Sequence, residues 1–191
     1  MAIVTLDEAV RPRRFTVDEY DRMAEAGILG PDERLELLDG VIYVMSPIGS
    51  RHAACVRRLS SLFHQGLAGR VIVSTQNPIC LGLDEEPQPD LALLQLRADN
   101  YASAHPEASE ILLLIEVMET SSPFDRGKKL RSYARAGVIE VWLVDLKRET
   151  VEICRQPEGD EYTERRVLSR GQNVACLAFP DLELAVNDIL G

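Results

Sequence analysis

The chain has 191 residues, enough for one domain with a sizeable core, and 46% of them are apolar, which excludes a disordered protein. Acids outnumber bases 31 to 21, a formal net charge of −10, so a protein that coats nucleic acid through overall charge is also excluded and any contact with phosphate has to be local. No apolar run approaches the roughly 18 residues of a membrane span, and the acidic start Met1 to Glu8 carries no signal-peptide pattern, so the expected location is the cytoplasm. Cys55, Cys80, Cys154 and Cys176 form no Cys-x-x-Cys, so they are read as reduced, mostly buried thiols rather than zinc ligands or a disulfide framework.

Residues 1 to 14 lack periodicity and carry Arg11-Pro12-Arg13-Arg14, which reads as an arm before a single domain from 15 to 191. A helix follows at once: Thr16 with Glu19 forms a capping box, Phe15 and Tyr20 occupy hydrophobic-staple positions, and Gly27 ends it. Arg34 to Leu38 and Val41 to Met45 flank Asp39-Gly40, the pair a type I′ hairpin prefers because both central residues need positive φ. His52, Val56, Leu59 and Phe63 recur at helical spacing after Ser46-Pro47, so a second amphipathic helix runs to Gly66 or Gly69. Val71 to Thr75 and Ile79 to Leu81 read as short strands, Asp90 to Gln95 as another behind Pro87-Gln88-Pro89, and 96 to 110 as a polar connection. Ile111 to Met118 is a strand buried on both faces. Thr120 to Pro123 is a turn, Asp125 caps a helix that stops at Gly137, and Ile139 to Asp145 is the next strand, a βαβ-like crossover. Thr150 to Cys154 and Tyr162 to Val167 alternate as strands, so the whole reads as one α/β domain with a mixed sheet.

Glu116 is the anomaly in this pattern. An ionised carboxylate enclosed by aliphatic neighbours has to be paired, protonated or bound to a metal, because stranding it costs several kcal/mol. Asp90 opens the preceding strand, and if the two strands are neighbours their acids converge. Hard oxygen ligands of this kind suit Mg²⁺ or Mn²⁺, which need few carboxylates. Lys129 lies thirteen positions after Glu116, placed to lean back over the end of that strand, orient or deprotonate a water, and offset charge on a phosphoryl group. Plainer readings stand beside these. Asp125 and Lys129 at i, i+4 make a solvated helix pair, Glu116 a buried salt bridge, Glu36 an exposed cross-strand charge, and His52 a packed histidine. Basic patches at Arg51, Arg57 and Arg58, and at Lys128, Lys129, Arg131 and Arg135, are the candidates for local phosphate contact.

The motifs Glu36-Leu37-Leu38-Asp39-Gly40, Met45-Ser46-Pro47 with His52, Pro89-Asp90, Ile115-Glu116-Val117 with Ser121-Ser122, Asp125 to Lys129, and Tyr133 to Val138 through Trp142-Leu143-Val144-Asp145 stand in order over nearly the whole chain after the arm. In this they resemble the Uma-type restriction endonuclease family of the PD-(D/E)XK nuclease superfamily. The resemblance implies a restriction-endonuclease-like core, a mixed central sheet flanked by helices with an N-terminal helix and hairpin. It also implies a Mg²⁺- or Mn²⁺-dependent cut of a DNA phosphodiester, with Asp90 and Glu116 holding the metal, Lys129 serving the attacking water and Glu36 an accessory acid. His52, Asp125 and Lys128 are supporting candidates. The superfamily's usual lysine place, two residues after the second acid, is here Met118, so the ammonium is moved to the following helix. A homodimer is expected, since cutting both strands of a duplex takes two sites. The rival reading is a nuclease fold without turnover that binds DNA or protein, which the net charge favours.

Overall fold

A computed structural model describes residues 11–30, 32–119 and 122–191, and the backbone alone of Ser122. The first ten residues of the expected arm lie outside the described ones. Arg14 already lies against the structure, its guanidinium donating to the Asp39 carbonyl. Helix α1 (Val17–Glu25) starts on the expected capping box, Thr16 Oγ1 accepting from the Glu19 N–H at 3.2 Å while Glu19 accepts from the Thr16 N–H at 3.2 Å. Its one buried face, Tyr20, packs with Phe15 onto Leu35, Leu37 and Ile42 of the hairpin β1 (Leu35–Leu38) and β2 (Val41–Val44). Both turn residues have positive φ, Asp39 at 49° and Gly40 at 66°, as the type I′ turn demands. Gly40 is also sterically required, because a Cβ there would stand 2.6 Å from the Arg14 Cβ and 2.9 Å from the Phe15 carbonyl oxygen.

A six-stranded sheet in the order β3-β4-β5-β6-β7-β8 forms the centre: β3 (Ile72–Ser74), β4 (Leu91–Leu94), β5 (Ile111–Met118), β6 (Glu140–Asp145), β7 (Thr150–Glu158) and β8 (Glu161–Ser169). Pairs within it are antiparallel except β5 with β6, which are parallel and joined by a helical crossover. The period-2 alternation of β5 explains its unbroken apolar run. Leu113, Ile115 and Val117 face α2 (Ser50–Gly66) and the C-terminal α5 (Val186–Leu190), whereas Leu114 and Met118 face the crossover helix. Each face therefore needs its own apolar set, and the strand supplies both.

Three expected elements differ. Ile79 to Leu81 is not a strand; Cys80 makes only an isolated bridge to Glu107, because the segment turns away after a few bonds. The 96–110 connection holds a short 3₁₀ turn at Ala108–Glu110. The crossover helix begins earlier than expected: α3 (Ser122–Phe124) runs into a π turn, Asp125–Lys129, and then α4 (Leu130–Arg135). Asp125 is therefore not the cap. It lies inside the helical stretch, buried, with Leu130 N–H bonding back to its carbonyl across five residues. Among the described residues no helix is long and apolar enough to cross a membrane.

Two buried acids away from the cleft show how differently a carboxylate can be housed. Glu140 is fully enclosed, but Arg155, the Trp142 Nε1–H at 2.8 Å and the Leu177 N–H at 2.6 Å all donate to it. Glu86 pairs its backbone with Leu37 close to Tyr20, and burial, with Asp21 nearby, pushes its carboxyl up to about 7. A raised acid holds its proton more tightly folded than unfolded, where it titrates near 4.5. Stability is therefore expected to fall as pH rises from about 4.5 through about 7. Glu86→Gln should flatten that stretch; urea midpoints at about pH 5 and about pH 8 that shift equally in wild type and variant would refute it.

Candidate active site

The strand register brings the two anomalous acids together. Leu91 pairs with Ile115 and Ala92 with Leu114, so Asp90, one residue before β4, comes beside Glu116. The carboxylate of Asp90 meets three donors. Its Oδ2 takes the Val117 N–H at 2.8 Å and the His52 Nε2 at 2.9 Å, and its Oδ1 takes the Gln76 side-chain amide at 3.2 Å. Burial works to raise this acid, but the His52 contact, the Val117 N–H and Lys129 outweigh it and hold the carboxyl below its ordinary value.

Lys129 enters from the π turn and is as buried as the core around it. Its Nζ lies 2.9 Å from Glu116 Oε1 and 3.1 Å from Glu36 Oε1, with the Gln88 carbonyl at 3.5 Å. Burial opposes the ammonium, yet Glu116, Glu36 and Asp125 more than reverse that, so Lys129 stays charged with its pKa raised. One ammonium does not balance these acids. Burial pushes Glu116 up to about 8, and the relief from Lys129 is eroded by Asp125, Asp90 and Glu36. Glu36 Oε2 is buried with no hydrogen-bond partner among the described residues, as is His52 Nδ1. The cluster is short of positive charge, and its proton demand falls on Glu116.

These groups line a cleft of about 240 Å³ whose floor holds Glu36, Asp90, Glu116, Asp125, Lys129 and His52. All the expected site residues except Lys128 therefore converge. Lys128, next along the turn, points instead to the hairpin, 2.6 Å from Asp39 Oδ2 and over the Tyr43 ring. The expected basic patch around it shrinks: Lys129 is buried and Lys128 and Arg135 both pair with Asp39, while Arg131 stays exposed. Glu36 is not the exposed cross-strand charge of the plainer reading but 2% exposed. Oxygen-rich and charge-deficient, the site fits a divalent cation held by Asp90 and Glu116. Among the described residues no three His, Cys, Asp or Glu side chains stand grouped as metal ligands.

Sequence reasoning missed Tyr133, whose hydroxyl donates to Glu116 Oε1, and Gln76, which donates to Asp90. Tyr133 carried a usable signal, since it sits four positions after Lys129 and so on the same helix face. Gln76 carried none; its position depends on how the loop after β3 folds.

The fold places the chain in a known class. A crystal structure of a "putative nuclease belonging to DUF820" from Anabaena variabilis matches it with a TM-score of 0.76 at 19% identity, covering 92% of this chain and 97% of that one. The architecture is thus the restriction-endonuclease-like α/β core with a mixed central sheet. Residues 17–187 match the Uma2 family model, described as "Putative restriction endonuclease", and the chain belongs to that family. No curated protein shows significant similarity to it.

The charge ledger of the cluster is open to direct test. Glu116→Gln keeps the shape while Lys129 retains Glu36 and Asp125, so without metal the variant is expected to melt no lower than wild type. Lys129→Met leaves buried carboxylates with no ammonium and should cost about 3–5 kcal/mol. Thermal melts in chelator check both; a Glu116→Gln protein that melts as low as Lys129→Met would make Glu116 an indispensable ion-pair partner instead.

Proposed function

We propose that the protein is a divalent-metal-dependent endonuclease that hydrolyses DNA phosphodiester bonds, with Asp90 and Glu116 as the residues that hold Mg²⁺ or Mn²⁺. The observation that carries this is the charge-deficient cluster, in which a single buried ammonium serves Glu36 and Glu116 while Glu36 Oε2 has no partner. Family membership over residues 17–187 supports the same reading. A bound cation supplies Lewis-acid polarisation of the phosphoryl group and lowers the pKa of water.

The chain's own residues divide the remaining work. Asp90 stays ionised because His52 and the Val117 N–H stabilise its charge, so it is ready to bind a cation near neutral pH. Tyr133 fixes the Glu116 carboxylate from the core side. Lys129 is held as an ammonium and so is a poor base; it acts by electrostatics, offsetting negative charge that builds on the phosphoryl oxygens. Glu36 Oε2 is the acceptor left open for a proton from the attacking water. We place the enzyme in the cytoplasm as a single domain acting in pairs, because two sites are needed to sever both strands.

Purified protein should nick plasmid DNA with Mn²⁺ or Mg²⁺ and not with chelator, and Asp90→Ala should abolish the cut. Equal cutting by both proteins would assign it to another site or a contaminant, and metal-dependent binding without cutting would favour the non-catalytic module. Mn²⁺ should also raise the Tm of wild type but not of Glu116→Gln, since an ion bound only by the folded state stabilises it.

In single-turnover assays Lys129→Met is expected to lose about 100-fold or more in rate. Lys128→Met, which removes only the contacts with Asp39 and Tyr43, should mainly change affinity and its salt dependence. The reverse ranking would mean that the working ammonium is Lys128.

A further inference from the structure

The cleft has a second wall that the proposed hydrolysis does not use. In the β1–β2 hairpin Glu36 pairs directly with Tyr43, so the two side chains share one face of the ribbon. Tyr43 meets Phe124 of α3 with ring centroids 5.0 Å apart, and the loop after β2 continues the wall with Met45, Pro47 and Ile48. Both rings are only partly buried, and Val44 and Ile48 beside them are exposed at 77% and 38%. An aromatic and apolar wall thus stands beside the acids and the ammonium, open to solvent.

Such a wall does not suit the outside of a duplex, whose accessible surface here would be phosphate. Duplex binding depends on neutralising several phosphates. Yet the described cations that line the cleft are Arg34, already donating to the Ser46 carbonyl at 2.7 Å, and Lys129, clasped by Glu36 and Glu116, while Lys128, over the Tyr43 ring, is paired with Asp39. What matches a partly exposed aromatic pair next to a phosphodiester-cutting centre is a base with its face uncovered.

We infer that the cleft takes an unpaired deoxynucleotide, its base stacked on Tyr43 and Phe124 and its phosphate directed toward Lys129 and the cation that Asp90 and Glu116 would hold. This deepens the nuclease reading above and rests on it for the identity of the strand. The unpaired nucleotide comes either from a free single strand or from a position turned out of a duplex. Stacking on an aromatic face tolerates any base, so recognition is of pairing state more than of sequence.

The test reads binding without cleavage: anisotropy of a fluorescein-labelled oligodeoxynucleotide of about 12 nucleotides, in Ca²⁺, against the same sequence as a blunt duplex and as a duplex with a mismatched bubble. The single strand is expected to bind at least about 10-fold more tightly than the blunt duplex. Tyr43→Ala and Phe124→Ala should weaken that binding about 5- to 150-fold, the range measured for losing one stacked base, while Tyr43→Phe keeps it. A bubble bound as tightly as the strand assigns the occupant to a turned-out nucleotide, and one bound like the blunt duplex assigns it to a free strand. Blunt duplex bound as tightly as strand overturns the inference, as does a Tyr43→Ala protein that melts and binds like wild type. The two readings fail separately. Strand-selective, Tyr43-dependent binding with no cutting of any DNA sinks the nuclease and leaves this site, whereas duplex cut and bound as readily as strand sinks this site and leaves the nuclease.

Discussion

One buried ammonium holds this structure's chemistry together. Lys129 Nζ touches Glu36 of the hairpin and Glu116 of the central sheet, and it leans in from the helical crossover, so three elements meet at a single charge. An ion pair taken out of water recovers its desolvation cost only when geometry and partners are good. Here the lysine is well served and the acids are not. The imbalance shows as a proton-hungry Glu116, pushed up to about 8, and as a Glu36 oxygen with no partner.

The contrast with Glu140 gives that imbalance its meaning. Glu140 is equally buried, but an arginine, an indole N–H and a backbone N–H complete its shell, which is how a purely structural carboxylate is housed. Glu36 and Glu116 are left incomplete beside open space, Glu36 on the hairpin face that also carries Tyr43. Perturbed acids in a cleft are where chemistry is expected, because a site poised to bind a cation or move a proton has to be unsatisfied in its resting state.

The displaced lysine follows from the same packing. Met118 shares the face of Glu116, but at that position it is fully buried among Leu130 and Tyr133. An ammonium there would sit in the apolar core under the crossover helix. The π turn delivers the charge from the start of that crossover, with Lys129 and Asp125 directed to the cleft and Lys128 diverted to the hairpin. Tyr133, one helical turn on, then braces Glu116 from the core side.

By itself the sequence determined whatever depends on local periodicity and backbone chemistry. The capped first helix, the Asp39-Gly40 hairpin, the amphipathic second helix and the doubly buried β5 all follow from spacing and side-chain type within a few residues, and each stands where the residues put it. Glu116 was legible as an anomaly for the same reason, a charge in an aliphatic run. The tertiary structure alone decided which charges meet. The sequence left Glu36 as readily an exposed acid as a buried one, and gave Asp125 the look of a helix cap. Gln76 reaches Asp90 only because a loop returns to the sheet edge, and Lys128 finds Asp39 only because the hairpin packs beside the crossover. Those outcomes depend on strand register, on a π turn and on long-range closure, and the energies that set them come from contacts between residues tens of positions apart, which no local pattern records.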